Sequence, residues 1–284
     1  MNDALAPKLP KNAFEINASR VLQAKADMAK PFSIWTYVYY IIGVLIVLVS
    51  WLAAKEVEFS LTKLRDGAPF MADFLGRMFP PDLTILDRVF TETMQTIALA
   101  WVATIFSIIV SFPIAFFAAR NIFESKILRG TTIFLLNTDR AIDSLILALF
   151  FVSAVGLGPF AGTLALAIHS VGMLGKLFAD AIEAIDPGPR EALESAGAGK
   201  LAMIRWAVWP QVAPLFITYF LFRFELNVRV AVVLGIVGAG GIGFLLTQYM
   251  RLFQYQKVCT LVLVILVLVM VIDAVSSRLR RAVS

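Results

Sequence analysis

The feature that most constrains this chain is a series of apolar segments, each near the length needed to cross a bilayer. A helix needs about 20 apolar residues to span roughly 30 Å of hydrocarbon. Six segments of the sequence meet or approach that length: Ile34–Ala54, Thr93–Ala118, Thr132–Val155, Phe160–Glu183, Gln211–Val237 and Val258–Val275. The first and last are nearly continuous Ile, Val and Leu. The four inner ones carry Gly, Ser, Thr, Pro and charges, a pattern that suits helices packed on protein or lining a water path. The expected fold class is all-α and polytopic, with six transmembrane helices.

Composition supports the same class. Of the 284 residues 60% are hydrophobic and 16% charged, against about 45–50% and 25% in ordinary soluble domains. That excess of apolar surface excludes a soluble domain and, with so little charge, disorder. One cysteine, Cys259, and one histidine, His169, leave no disulfide framework, no Cys-based zinc site and no His-rich metal chemistry. Lysine and arginine set the orientation. With the N-terminus inside, the inner segments 1–33, 119–131, 184–208 and 276–284 hold 14 of them and the outer segments hold 6. Both termini are therefore expected to be cytoplasmic, with Arg278, Arg280 and Arg281 as a strong local signal. The net charge of +5 follows largely from this bias and calls for no nucleic acid. Residues 1–33 are too long and polar for a cleaved signal peptide, so they are expected to form a cytoplasmic tail before a retained anchor.

Two motifs tempt and fail. Gly238-Ala239-Gly240-Gly241-Ile242-Gly243 matches G-x-G-x-x-G, but a dinucleotide site needs a preceding strand and an acid about 20 residues on. The next acid is Asp273, thirty residues past Gly243. Gly238, Gly240, Gly241 and Gly243 instead read as a sharp turn at the outer end of the fifth span. Gly197–Lys200 lacks the upstream glycine and the Ser or Thr of a phosphate loop, holding Glu194 and Leu201 there. The chain is expected to carry no cofactor. In the outer loop 55–92, Phe70, Met71, Phe74, Leu75, Met78 and Phe79 make one apolar stripe of a short interfacial helix, with Asp73 and Arg77 paired on another face.

The inner loop 184–208 is more informative. Asp186-Pro187-Gly188-Pro189 restarts a helix after the fourth span. Arg190–Ala196 then reads as a short helix with Ala192, Ser195 and Ala196 on one side. Gly197 and Gly199 can end it, and Trp209-Pro210 begins the return to the membrane. A small-faced helix projecting from a bilayer suits docking into a groove of a partner; an ordinary loop helix is the plain alternative.

Glu191, Ala192, Leu193, then Gly197 and Pro210 resemble the EAA loop of permease subunits of ATP-binding-cassette importers, E-A-A-x3-G-x9-I-x-L-P, with Leu193, Ala207 and Trp209 as departures. Val155–Gly162, Ile185–Pro189, Tyr219–Arg229 and Val237–Gly243 resemble the phosphonate-importer permease family. The resemblance covers roughly residues 90–275. It implies a type I importer permease fold of the methionine-permease kind, with a permease core at 93–275 following the first helix 34–54 and the periplasmic loop 55–92. It implies pairing with a second permease copy, two cytoplasmic ABC ATPase subunits that hold ATP and Mg, and a periplasmic phosphonate-binding protein. The loop helix, through Glu191, Ala192, Leu193, Ala196, Gly197 and Pro210, would couple the ATPase to the spans. Glu191 would supply charge at the helix start. The cargo would be a phosphonate or a related phosphorus oxyanion, moved by alternating access.

Ionisable groups inside spans usually face the bundle interior or a cavity. Asp139 and Asp143 are four apart in the third expected span. His169, Gly172, Lys176, Asp180 and Glu183 form a stripe on the fourth, where Lys176 and Asp180 can pair. On the fifth, Arg223 and Asn227 share one side while Glu225 and Arg229 share nearly the opposite one. Glu225 precedes Arg229 in the favourable order for an ion pair. Arg223 is then the residue least neutralised within its own helix. Asp143 can answer it from another span, or an oxyanion can; guanidinium geometry suits a phosphoryl group. Arg223, Asn227, His169, Lys176 and Asp143 are thus the candidate translocation path, with an interhelical salt-bridge network as the structural alternative. A stand-alone secondary transporter or channel would also place charges in broken spans, but gives the 184–208 helix no role. An intramembrane enzyme built on Asp139 and Asp143 would lack a nucleophile and base.

Overall fold

The computed structural model describes residues 34–122 and 125–283; the expected tail 1–33 lies outside them. The described residues fall into two units, divided between Phe70 and Met71. In the first, α1 (Ile34–Glu56) is a 23-residue apolar helix. Trp35, Tyr39, Val44 and Val47 are among its many exposed side chains, the surface expected of a helix in lipid. Helix α2 (Leu61–Met78) begins in the first unit and ends in the second. It starts nine residues before the expected stripe, and Phe74 meets the edge of Tyr255 at 5.0 Å.

The second unit is a bundle. Asp82 accepts from the Thr84 hydroxyl at 2.6 Å and the Thr84 N–H at 2.9 Å. These two bonds, the hydroxyl foremost, hold its carboxyl below the usual carboxylate range. They cap a short 3-10 turn, Leu83–Ile85, that leads into α3 (Leu86–Ala118). Then follow α4 (Lys126–Ala141), α5 (Ser144–Val155) and α6 (Pro159–Glu183). The loop segment holds α7 (Pro187–Ser195), α8 (Lys200–Met203) and a π-helical turn, Ile204–Val208. Helices α9 (Trp209–Ile236), α10 (Gly241–Arg251) and α11 (Tyr255–Val283) complete it.

Helices α3 and α6 form the centre. Ala100, Ala103, Ser107, Ser111 and Ala115 on α3 and Ala161, Ala165, Gly172, Gly175 and Ala179 on α6 are buried, and such small side chains let two helix backbones approach closely. Ser111 donates to the Val171 carbonyl across that seam at 3.1 Å. Toward one end Leu174, Phe178 and Ile182 of α6 meet Val212 and Phe216 of α9, with the Phe178 and Phe216 rings stacked at 4.0 Å. Toward the other, Leu99, Leu166 and Leu234 gather with Ala239.

Five helical stretches among the described residues are long and apolar enough to cross a membrane: Tyr37–Glu56, Leu83–Ala118, Pro159–Glu183, Lys200–Arg251 and Tyr255–Ala282. The expected third span, Thr132–Val155, is not one helix. It breaks between Ala141 and Ser144, leaving α5 as a shorter apolar helix of 12 residues. The cause is local: Asp143 turns back to accept from the Leu145 N–H at 2.7 Å and caps α5. Asp139 and Asp143 therefore do not share a helix face.

Candidate functional site

Two places carry the residues singled out by sequence: a projecting loop and a polar seam through the bundle.

The loop helix α7 starts at Asp186, whose carboxylate accepts from the Gly188 N–H at 3.0 Å. Asp186, not Glu191, holds the helix start, which corrects the role expected of Glu191; that residue lies a full turn further on. Pro187 and Pro189 need no helical donor there. The helix ends where Gly197 takes φ +76°, the left-handed backbone that favours glycine. The Gly197 N–H reaches the Glu194 carbonyl at 2.9 Å and the Ala198 N–H the Leu193 carbonyl at 3.0 Å. No residue of α7 is buried. Glu191, Ala192, Ser195, Ala196 and Gly197 are exposed, while Arg190 and Leu193 are half-buried. The π-helical turn and α9 follow; Pro210 stands in the first turn of α9.

The seam lies among α3, α6 and α9. Arg223 is 4% exposed and Asn227 0%. Arg223 Nε donates to Ser170 Oγ at 2.8 Å and Nη1 contacts Met173 Sδ at 3.0 Å. Asn227 Nδ2 donates to Thr104 Oγ1 at 2.9 Å and to Ser170 Oγ at 3.1 Å. Ser170 thus accepts from both while its own hydroxyl reaches the Leu166 carbonyl. Arg223 Nη2 is buried with no partner, and no carboxylate among the described residues pairs with this guanidinium. Asp143 does not answer it, being spent on the α5 cap. Asp139 accepts from the Gly172 N–H at 2.6 Å, and a ring nitrogen of His169 lies 3.1 Å from the Ile142 carbonyl. Those two contacts serve polar groups at the break between α4 and α5. Lys176 pairs with Asp180 at 2.7 Å, both partly exposed.

The other side of α9 is charge-balanced. Buried Glu225 accepts from Arg229 at 2.7 Å and from Arg280 at 2.9 Å, and Arg229 lies 3.7 Å from Asp273. Sequence reasoning found the Glu225–Arg229 pair but missed Arg280 and Asp273. In the sequence Arg280 reads as part of the tail's orientation signal, and no spacing rule links residues 55 apart.

The glycine run turns the chain between α9 and α10. Gly238, Gly240 and Gly241 have φ of +95°, +79° and +69°. Gly243 has an ordinary backbone, but a Cβ there would meet the Val232 carbonyl oxygen at 1.9 Å. The turn is stitched to α3, where the Gly241 N–H donates to Gln95 Oε1 at 2.8 Å and the Ile242 N–H to Thr96 Oγ1 at 2.9 Å.

Residues 111–284 match the family model described as binding-protein-dependent transport system inner membrane component. The chain is 43% identical over 232 residues to the putative phosphite transport system permease protein HtxC of Stutzerimonas stutzeri, covering 82% of this chain and 81% of that protein. It is 41% identical to the phosphate-import permease protein PhnE of Mycolicibacterium smegmatis, covering 81% of this chain and 43% of that longer protein. In fold it is similar to the inward-facing MetNI methionine ABC transporter, with a TM-score of 0.63 at 21% identity over 72% of this chain and 99% of that one.

Proposed function

Because the chain belongs to the binding-protein-dependent transport system inner membrane component family, we propose that it is the multi-pass permease subunit of an ATP-driven importer of phosphonate or a related phosphorus oxyanion, such as phosphite or phosphate. The cargo class follows from relatives named for phosphite and phosphate. In this reading the protein is not itself an enzyme. Two cytoplasmic ABC ATPase subunits bind ATP and Mg and supply the free energy, and a periplasmic binding protein delivers the cargo. A second permease copy completes a path within the bacterial inner membrane. Both termini face the cytoplasm, the core runs over 93–275, and access alternates as ATP closure drives the loop helices together.

The observation that carries the reading is α7. It has no fully buried residue yet is terminated by a built glycine cap, and its Glu191, Ala192, Ser195 and Ala196 side is exposed, a defined surface for a partner. Ala192 and Ala196 permit close approach, Glu191 offers charge, and Leu193, Gly197 and Pro210 set the helix against its return strand of chain. Arg223 is the path cation in this reading, since one of its nitrogens has no partner and a guanidinium suits a phosphoryl oxygen. Asn227 holds it through Ser170, and this reading assigns His169, Lys176 and Asp143 to the same path. Glu225 and Arg229 are a structural pair, and Gly238, Gly240, Gly241 and Gly243 form the outer turn.

The test is co-purification joined to uptake. Glu191→Lys and Gly197→Asp are each expected to lower ATPase recovery and nucleotide-dependent phosphite uptake by roughly tenfold, the scale of a 1.4 kcal/mol interface contact. Unchanged recovery and uptake in both would remove α7 from the coupling role. Concentration of phosphite by vesicles holding this chain alone would favour the stand-alone transporter.

A further inference from the structure

A lever must be gripped as well as pushed. Neither α7 nor α8 holds a fully buried residue, and of the α7 side chains only Arg190 and Leu193 are half-buried, so apolar packing holds α7 to the bundle weakly. Beneath it lies a cavity of about 190 Å³ lined by Arg120, Asn121, Arg190, Glu194, Lys200 and Ile204 among others. A helix standing over a void would swing without moving the spans, unless polar contacts tie it down.

Two such contacts exist, at the two ends of the loop's attachment. On one side Arg190 Nη1, on α7, donates to the Asn121 main-chain carbonyl at 2.7 Å. Asn121 follows the end of α3, and its own amide donates to the Ile182 carbonyl on α6 at 2.6 Å. On the other side Gln211, in the first turn of α9, accepts from the Asp186 N–H at 2.9 Å and returns a longer bond to the Asp186 carbonyl at 3.4 Å. The same amide nitrogen donates to the Ala207 carbonyl at 2.8 Å inside the π-helical turn. Asp186 is the cap of α7. Gln211 therefore joins the start of α7 to the start of α9 across the base of the loop, 25 residues apart in sequence.

The geometry points to Arg190 and Gln211 as positioning residues that pass movement of α7 to the ends of α3 and α9. Both act through main-chain groups, which a side-chain rotation elsewhere cannot release. Both are half-buried and already bonded within the chain, so they can serve transmission without taking part in docking. Push on α7 then reaches α9, which carries Arg223, by a route shorter than the connecting chain. The inference rests on the importer reading and adds to it where the force goes.

The experiment uses the complete importer in proteoliposomes, with radiolabelled phosphite as the probe and binding protein supplied. ATP hydrolysis and uptake are measured together for the wild type, Gln211→Ala, Arg190→Ala and the pair. The expected result is retained ATPase binding and hydrolysis, with phosphite moved per ATP falling on the order of tenfold in each single variant. Gln211→Glu and Arg190→Lys accompany them in case an alanine variant does not assemble. The first keeps the acceptor for the Asp186 N–H and the second keeps a donor for Asn121, so each should recover part of the ratio. An unchanged ratio of uptake to hydrolysis in the assembled variants overturns the inference and leaves the importer reading intact. A wild type that takes up phosphite without nucleotide overturns the importer reading itself.

Discussion

Two residues apart on α9, Arg223 and Glu225 are both buried ions in opposite circumstances. Glu225 is shared by Arg229 and Arg280, with Asp273 close behind. The four charges cancel, and both carboxylate oxygens are occupied. Arg223 has a hydroxyl and a thioether for company and one nitrogen with none. Burying an ion is costly unless partners repay it. The Glu225 cluster repays it from within the chain and needs nothing further to explain it. The Arg223 seam leaves a buried guanidinium with no carboxylate in hydrogen-bond reach among the described residues, Asp139 acting on it only through space. The contrast is the ground on which Arg223, and not Glu225, is proposed for the path.

The largest effect tests the balanced side. Glu225→Ala leaves Arg229 and Arg280 facing each other without the carboxylate that holds them. The expected loss is about 3 kcal/mol, from two charge-assisted hydrogen bonds worth about 1.5–3 kcal/mol each, discounted because Arg229 and Arg280 are themselves partly exposed, read as a lowered unfolding midpoint in detergent. Little change in that midpoint would mean that water reaches the cluster and that the two sides of α9 are alike.

Next comes Arg223→Met, which keeps much of the length and removes the charge. Because no carboxylate is hydrogen-bonded to the guanidinium and Asp139 keeps its Gly172 N–H, stability should change by less than about 1 kcal/mol or improve, as replacements of buried ions by apolar groups often do. Phosphite uptake should fall by roughly tenfold or more, the worth of one hydrogen bond to a charged group at about 1.5–3 kcal/mol. ATPase recovery should not change. The reverse outcome, a large loss of stability with normal uptake, would make the Arg223 seam structural and collapse the distinction.

Why sequence reached some of this and not the rest is a matter of range. The spacing of Arg223, Glu225, Asn227 and Arg229 fixes their faces because a helix turns about 100° per residue, so the two sides of α9 were legible. Helices α1 and α11 were legible because nearly every residue in their runs is apolar. The break at Ile142 was not, because an Asp before Ser reads equally as a polar residue within a span and as a cap. Only the His169 and Gly172 contacts at the break, 27 and 33 residues away from their partners, show which groups are satisfied. The α7 helix was visible from its prolines and glycines, yet Gln211 drew no notice, since its partner Asp186 lies across the whole loop. Helix α10 is not legible in the sequence: its first residues are glycines, which lower helix propensity, and Thr96 and Gln95 supply the donors' partners from elsewhere.

The smallest effect lies at Lys176, which belongs to neither side. Its ammonium already has Asp180 at 2.7 Å, and the two side chains are 35% and 50% exposed. An exposed pair of this kind is worth about 0–1 kcal/mol. Lys176→Met should therefore shift the unfolding midpoint by no more than that, and lower uptake less than Arg223→Met does, because the acid has pre-empted the charge an oxyanion would meet. Raising the salt concentration should erase most of the stability difference, since exposed charges are screened within about 8–10 Å at physiological ionic strength. A loss as large as that of Glu225→Ala, insensitive to salt, would show that a neighbouring copy covers the pair. Lys176 and Asp180 would then join the balanced, structural group, and the proposed path would rest on Arg223 without Lys176.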